Sequence, residues 1–228
     1  MNQFTAAQLN DMTTRKVKLS LLLDNSTSMD KNILVEDKMV PFKTVFVKAV
    51  NKFFQSLIDI GCIFEYDIVS FNTSTKYLHR NKSSKEFIPI DGEYETGGCT
   101  AFYDSVGEVI KNQIKLDKEK ENIIINILLV ITDGEDNSSS RMSCDSLKTL
   151  IDDVEKNNNY KVILFGTEID THSLGNKIGL SHQTTVNFEK TEEGINNIMA
   201  EASYSVSRCI TGETNIKNLK IDTIPNCK

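Results

Sequence analysis

The sequence predicts a three-layer α/β/α domain built on a mostly parallel sheet, and two observations carry that prediction. Apolar runs of strand length alternate with amphipathic segments of helix length almost throughout. That order yields parallel strands joined by right-handed helical crossovers, with helices covering both faces. The two most apolar runs, 17–23 and 123–131, each stop within two residues of an aspartate, Asp24 and Asp133. Strands this apolar are buried on both sides at the centre of a sheet.

Taken in order, 17–23 (VKLSLLL) is the first strand. A polar insertion at 31–38 leads into a helix in which Phe42, Val45, Phe46, Ala49, Val50, Phe53, Phe54 and Leu57 recur at helical spacing. Pro41 sits where a first helical turn accepts it. Gly61 breaks the pattern, 62–71 (CIFEYDIVSF) resumes as a partly alternating strand, and 72–75 (NTST) reads as a turn. The signals over 76–95 are weak and fit one short edge strand with irregular loop. Phe102, Val106, Val109, Ile110 and Ile114 mark the second helix, and 123–131 is the second central strand. Leu147, Leu150, Ile151 and Val154 mark a third helix, followed by a strand at 161–165. A short helix at 173–178, a short strand at 184–188 and a last helix over 192–208 complete the series. The domain is expected over 17–209, between a polar tail at 1–16 and a loosely packed end at 210–228.

Composition narrows the function classes. With 39% apolar and 25% charged residues, the 228-residue chain has an ordinary globular make-up and is long enough for one sizeable core. A formal charge of -6 provides no general basic field, so neither direct nucleic-acid binding nor a membrane partner is expected. The first fifteen residues lack the apolar core of a secretion signal, and the longest apolar run carries Asn126 and is too short to span a bilayer. Cys62, Cys99, Cys144, Cys209 and Cys227 fit neither a zinc cage nor a dense disulfide framework, which favours a reduced, cytoplasmic setting. His79, His172 and His182 match no catalytic or zinc spacing and are expected at the surface. Cys99 is expected to be a buried packing thiol.

The chemistry lies in three short segments: 24–28 (DNSTS) after the first strand, 96–100 (TGGCT) before the second helix, and 132–136 (TDGED) after the second central strand. In an open parallel sheet, ligands bind beyond the carboxyl ends of the strands where strand order reverses. Asp24 and Asp133 offer carboxylates there, and Ser26, Ser28 and Thr100 offer neutral hydroxyls. An all-oxygen set with few charges suits a hard cation, Mg²⁺ first, with Mn²⁺ or Ca²⁺ as alternatives. Alternation along an extended loop places Asp24, Ser26 and Ser28 on one side. Gly97 and Gly98 free the backbone to turn sharply toward the site. Two carboxylates against a dication leave an open coordination position attractive to an anionic oxygen brought by a partner.

Asp24-x-Ser26-x-Ser28, the glycine loop ending in Thr100, and Thr132-Asp133-Gly134 together resemble the metal-ion-dependent adhesion site of von Willebrand factor A domains. The flanking runs 97–104 (GGCTAFYD) and 130–137 (VITDGEDN) are close to the family's wording, and 165–170 (FGTEID) is similar to its later strand-end segment. The resemblance covers 17–208. It implies a Rossmann-like sheet of six strands with one short antiparallel edge. It also implies that Ser26, Ser28 and sometimes Thr100 touch the metal directly, while Asp24 and Asp133 often act through water. The chain departs from the family in having Thr27 where a small residue is usual, and in a longer insertion after Met29.

Each segment has a plainer reading alone: the first as a capped strand-end turn, Asp133-Gly134 as an ordinary turn. Asp104 reads equally as a residue holding the loops and as a first-turn helix acid. Glu135 and Asp136 read as solvated loop acids. The expected function is a non-catalytic module that binds an Asp or Glu carboxylate of a partner protein through the cation. The rivals are a Mg²⁺-dependent phosphatase or phosphotransfer enzyme, with a strand-end aspartate as nucleophile, and a scaffold with a vestigial site. Against the enzyme, Ser26 stands where haloacid dehalogenase-like enzymes carry their second aspartate, and no P-loop lysine motif is present.

Overall fold

The computed structural model describes residues 16–118, 124–157 and 159–221; the expected N-terminal tail, up to residue 15, and the end of the chain from 222 lie outside them. The strands are β1 (Lys16–Asp24), β2 (Asn32–Val35), β3 (Lys38–Pro41), β4 (Glu65–Phe71), β5 (Thr75–Ser83), β6 (Ile124–Thr132), β7 (Tyr160–Gly166) and β8 (Thr185–Asn187). The α-helices are α1 (Phe42–Asp59), α2 (Phe102–Lys118), α3 (Cys144–Asn157), α4 (Thr171–Lys177) and α5 (Glu192–Ile210). Six strands form one sheet in the order β5-β4-β1-β6-β7-β8. Every pairing is parallel except β4 with β5 at the edge, as expected.

Strand β1 lies between β4 and β6, so the chain leaves it first to one side and later to the other. Its alternation serves both faces. Leu19, Leu21 and Leu23 join the core beneath α1 and α5, whereas Leu22 joins Val69, Leu128 and Val130 beneath α2 and α3. The α1 residues expected from helical spacing (Phe42, Val45, Phe46, Ala49, Val50, Phe53, Phe54 and Leu57) are all buried. At roughly 1.5–3 kcal/mol for each large apolar side chain removed from water, this stripe fixes α1 against the sheet. Pro41 precedes the helix as its N-cap residue rather than standing in the first turn.

Four expectations are corrected. The polar insertion is a hairpin, β2 paired antiparallel with β3; Leu34 and Met39 face each other across it and are exposed, so the pair contributes no apolar periodicity to the core. The edge strand β5 runs nine residues. The segment after α5 does not stay loose, because Ile216, Leu219 and Ile221 are buried in the core and the Ile221 amide donates to the Gln183 carbonyl. Finally, His79 is buried, packed edge-on to Tyr66 with Nε2 3.4 Å from Glu93 Oε1; His182 is exposed and His172 partly so, as expected, and their rings stack at 3.9 Å. Among the described residues, no helix is long and apolar enough to cross a membrane.

Candidate metal-binding site

The carboxyl ends of β1, β4 and β6 lie side by side, and their loops are stitched together by backbone hydrogen bonds. The Asn25 amide donates to the Phe71 carbonyl at 2.8 Å, and the Gly97 amide donates to the Asn25 carbonyl at 2.8 Å. The Thr27 amide and hydroxyl both donate to the Gly98 carbonyl, at 3.2 and 3.1 Å. Gly98 has φ +78°, in the left-handed region that glycine enters without steric cost. Through these hydrogen bonds the second loop runs beside the first. Asn72, which the sequence showed only as a turn residue, anchors that loop: its amide donates to the Gly97 carbonyl and its own carbonyl accepts from Ala101.

Three of the five expected ligands form one hydrogen-bonded chain. Ser26 Oγ is 3.0 Å from Ser28 Oγ, and Ser28 Oγ donates to Asp133 Oδ1 at 2.6 Å. Asp24 lies behind them, fully buried. One of its oxygens accepts from the Ser26 amide at 2.8 Å and the other from the Thr132 hydroxyl at 2.6 Å. Burial pushes the Asp24 carboxyl up to about 6 even though both hydrogen bonds favour its charge, and Asp133 adds to the rise. Thr100 is buried, its amide held by Asn137 Oδ1. Its hydroxyl lies 3.1 Å from where a side chain on Gly134 would begin, which puts it against the loop that carries Asp133.

Asp104 stands in the first turn of α2 and there accepts from the loop after β6. Burial alone would raise its carboxyl, but amide donors from Ser140, Arg141 and Met142 hold it below the usual carboxylate range. It thereby ties the segment after β6 to the first turn of α2. Asp136 is no solvated acid; it accepts from the Tyr103 amide and the Ser139 hydroxyl and caps the same helix. Cys99 is exposed rather than buried. Replacing Asp104 with alanine should cost about 1–2 kcal/mol, since three part-buried amides lose a charged acceptor. Amide exchange at residues 140–142 should accelerate most. Because the folded-state value is depressed, this contribution is present above about pH 4 and is lost as the pH falls further.

The residue that sequence reasoning missed is Lys190, in the loop between β8 and α5. Its side chain is almost fully buried, and its ammonium contacts Asp133 Oδ2 at 2.5 Å, the Ser28 carbonyl at 2.9 Å and Glu168 Oε2 at 3.0 Å. Glu168 also receives Lys31 at 3.0 Å, and the two lysines hold its carboxyl below the ordinary value despite partial burial. No periodicity or motif marks a single lysine whose partners stand 57 and 162 residues away.

The donor set fits a divalent ion in kind: Ser26, Ser28 and Thr100 hydroxyls with the Asp24 and Asp133 carboxylates are oxygen donors throughout. At this point the Lys190 ammonium is paired with Asp133 and donates to the Ser28 carbonyl. Among the described residues, no group of three or more His, Cys, Asp or Glu side chains is placed to hold a metal; a site built mainly on hydroxyls has only two such residues.

No protein-family model and no curated protein matches the sequence. Solved structures do match in fold. The PilB minor pilin from Streptococcus sanguinis superposes with a TM-score of 0.58 at 15% identity, over 86% of this chain and 62% of the pilin. A von Willebrand factor type A protein from Catenulispora acidiphila gives 0.57 at 13% identity, over 85% of this chain and 43% of that one. The VWA domain of SpRpn10 gives 0.57 at 14% identity, over 82% of this chain and 94% of that domain. The chain thus has the von Willebrand factor A fold, and it spans less than two thirds of the first two proteins.

Proposed function

We propose that this chain is a protein-binding module in which Asp24, Ser26, Ser28, Thr100 and Asp133 hold a divalent cation, Mg²⁺ first, and a partner's Asp or Glu carboxylate docks there. The observation that carries the reading is the convergence of the loops after β1 and β6 with the loop before α2 on one oxygen-rich point, where the Lys190 ammonium is paired with Asp133. When bound, the cation supplies the positive charge that attracts an anionic oxygen. The chain's own part is to fix the donors in place. Tyr94 donates to the Asp24 carbonyl, and Asn72, Gly97 and Gly98 lock the loop beside it. A pre-organised site of this kind binds without first ordering its loops.

The geometry favours binding over phosphoryl transfer. A nucleophilic aspartate must reach its substrate directly, whereas Asp24 is fully buried with each oxygen accepting a hydrogen bond, a placement that suits holding a cation through water. Free thiols at Cys62, Cys99 and Cys144 suit a reducing compartment such as the cytoplasm. The net charge of -6 argues for a protein partner rather than nucleic acid.

Calorimetric titration with Mg²⁺ and Mn²⁺, in the presence of acetate as a surrogate carboxylate, tests the reading. Saturable binding should fall at least about tenfold in Ser26→Ala and in Asp24→Ala, both checked for folding by circular dichroism. Heats that are identical in the wild type and both variants would show that any metal binds elsewhere.

A further inference from the structure

Lys190 sits within the site proposed above, yet nothing in a cation–carboxylate docking mechanism calls for an ammonium there. Three observations show that its place is built. First, its backbone is pinned: the Thr191 amide donates to the Glu189 carbonyl at 2.8 Å, and Thr191 caps α5 by accepting from the Gly194 amide. Gly194 approaches so closely that a side-chain carbon there would stand 2.1 Å from the Glu189 carbonyl oxygen. Second, the side chain leads inward, only 7% exposed, past the face of Phe42 at 5.5 Å. Third, its ammonium has partners on two sides: Asp133 and the Ser28 carbonyl within the site, and Glu168 at its rim.

Glu168 is itself placed for this. It is 41% exposed on its side chain, adopts the left-handed backbone conformation at φ +59° without being glycine, and already shares one oxygen between Lys31 and Lys190. A long, unbranched side chain on a fixed backbone can move its charge by rotamer changes alone. From its present position the ammonium can give up Asp133 and keep Glu168.

We propose that Lys190 is a tethered counter-cation that neutralises Asp133 in the metal-free protein and exchanges with the divalent ion, withdrawing to Glu168 as the ion enters. This rests on the metal-docking reading of the same site. Two cations cannot share the Asp133 carboxylate and the Ser28 region at close range without repulsion, so the lysine sets a threshold on metal affinity. Glu168 lowers that threshold by receiving the displaced charge. The device keeps a buried carboxylate paired in both states, since an uncompensated charge there would be costly.

Two readouts test it. The first is a cycle of Mg²⁺ titrations on wild type, Lys190→Met, Glu168→Gln and the double variant. Lys190→Met should bind Mg²⁺ at least about tenfold more tightly, the scale of one close like-charge repulsion removed. Glu168→Gln should weaken binding several-fold in the wild-type background and much less beside Lys190→Met, because the displaced ammonium no longer exists. The second is the lysine ammonium signal in nitrogen-15 nuclear magnetic resonance, which needs no variant to fold. Two buried, slowly exchanging ammonium groups should be visible in metal-free protein, Lys190 and Lys18, the latter paired with Asp67 far from the site; one should shift or vanish at saturating Mg²⁺ and the other should stay.

Binding by Lys190→Met but not by wild type would also support the exchange. Equal affinities in wild type and Lys190→Met, or both buried ammonium signals unchanged at saturation, would overturn the exchange while leaving the metal site standing. Failure of every protein, Lys190→Met included, to bind Mg²⁺ would overturn both.

Discussion

Without metal, Lys190→Met should cost the folded protein about 3 kcal/mol, because breaking a buried ion pair by removing one partner strands the other charge. Asp133 would remain with its side chain fully buried, keeping the Ser28 hydroxyl as a donor but losing its only cation among the described residues. The Ser28 carbonyl would lose its ammonium donor as well. Urea denaturation with and without Mg²⁺ reads the effect directly. The variant should recover much of its lost stability at millimolar Mg²⁺, since a ligand that binds only the folded state stabilises it in proportion to its occupancy. Adding Asp133→Asn to Lys190→Met should remove part of the penalty, because the stranded charge goes with it. A Lys190→Met protein as stable as wild type in chelator would show that Asp133 is not held by this pair.

Asp24→Asn should do the opposite, stabilising the metal-free protein by about 3 kcal/mol at pH 7 while abolishing metal binding. Burial raises the Asp24 carboxyl to about 6, above its unfolded value of 3.8. A raised carboxylate in the folded state means that ionisation opposes folding: below about pH 4 there is no penalty, and it grows as the pH rises through 6. Asparagine removes the penalty and keeps the shape. Its oxygen can still accept from the Ser26 amide, and the Thr132 hydroxyl, also 3.0 Å from the Gly134 carbonyl, can turn to donate there and accept from the new amide. The gain should therefore appear only above about pH 4 and level off above pH 6 in a series of denaturation curves. A variant less stable than wild type at every pH would mean that the Asp24 charge is compensated within the fold.

Opposite effects at two residues of one site reflect its electrostatics. Asp133 has a cation from its own chain, whereas Asp24 has only neutral donors, and its charge is the one a divalent ion would relieve.

Much of this was legible in the residues. The ends of β1 and β6 follow from apolar runs that stop at polar residues, and the α1 stripe from eight apolar side chains at helical spacing. The candidate site residues stand out because they cluster in short segments: Asp24, Ser26 and Ser28 share one loop, and the structure links Ser28 to Asp133 across the sheet. What escaped notice lacks local signal. The β2–β3 hairpin buries only Ile33 among its apolar residues, so alternation in and out of a core is missing. Strand β5 is an edge of mostly polar residues, and it buries His79 through contacts with Tyr66 that no spacing announces. Lys190 is the extreme case, a single residue in a loop whose meaning depends entirely on Asp133, Ser28 and Glu168 arriving beside it.

The most direct test of the account is a crystal structure with Mn²⁺ and glutarate, read by anomalous scattering. The account predicts an anomalous peak among the Ser26, Ser28 and Thr100 hydroxyls, a glutarate carboxylate on it, and the Lys190 ammonium on Glu168 but no longer on Asp133. Crystals that hold Mn²⁺ only elsewhere, with Lys190 still on Asp133, would contradict it.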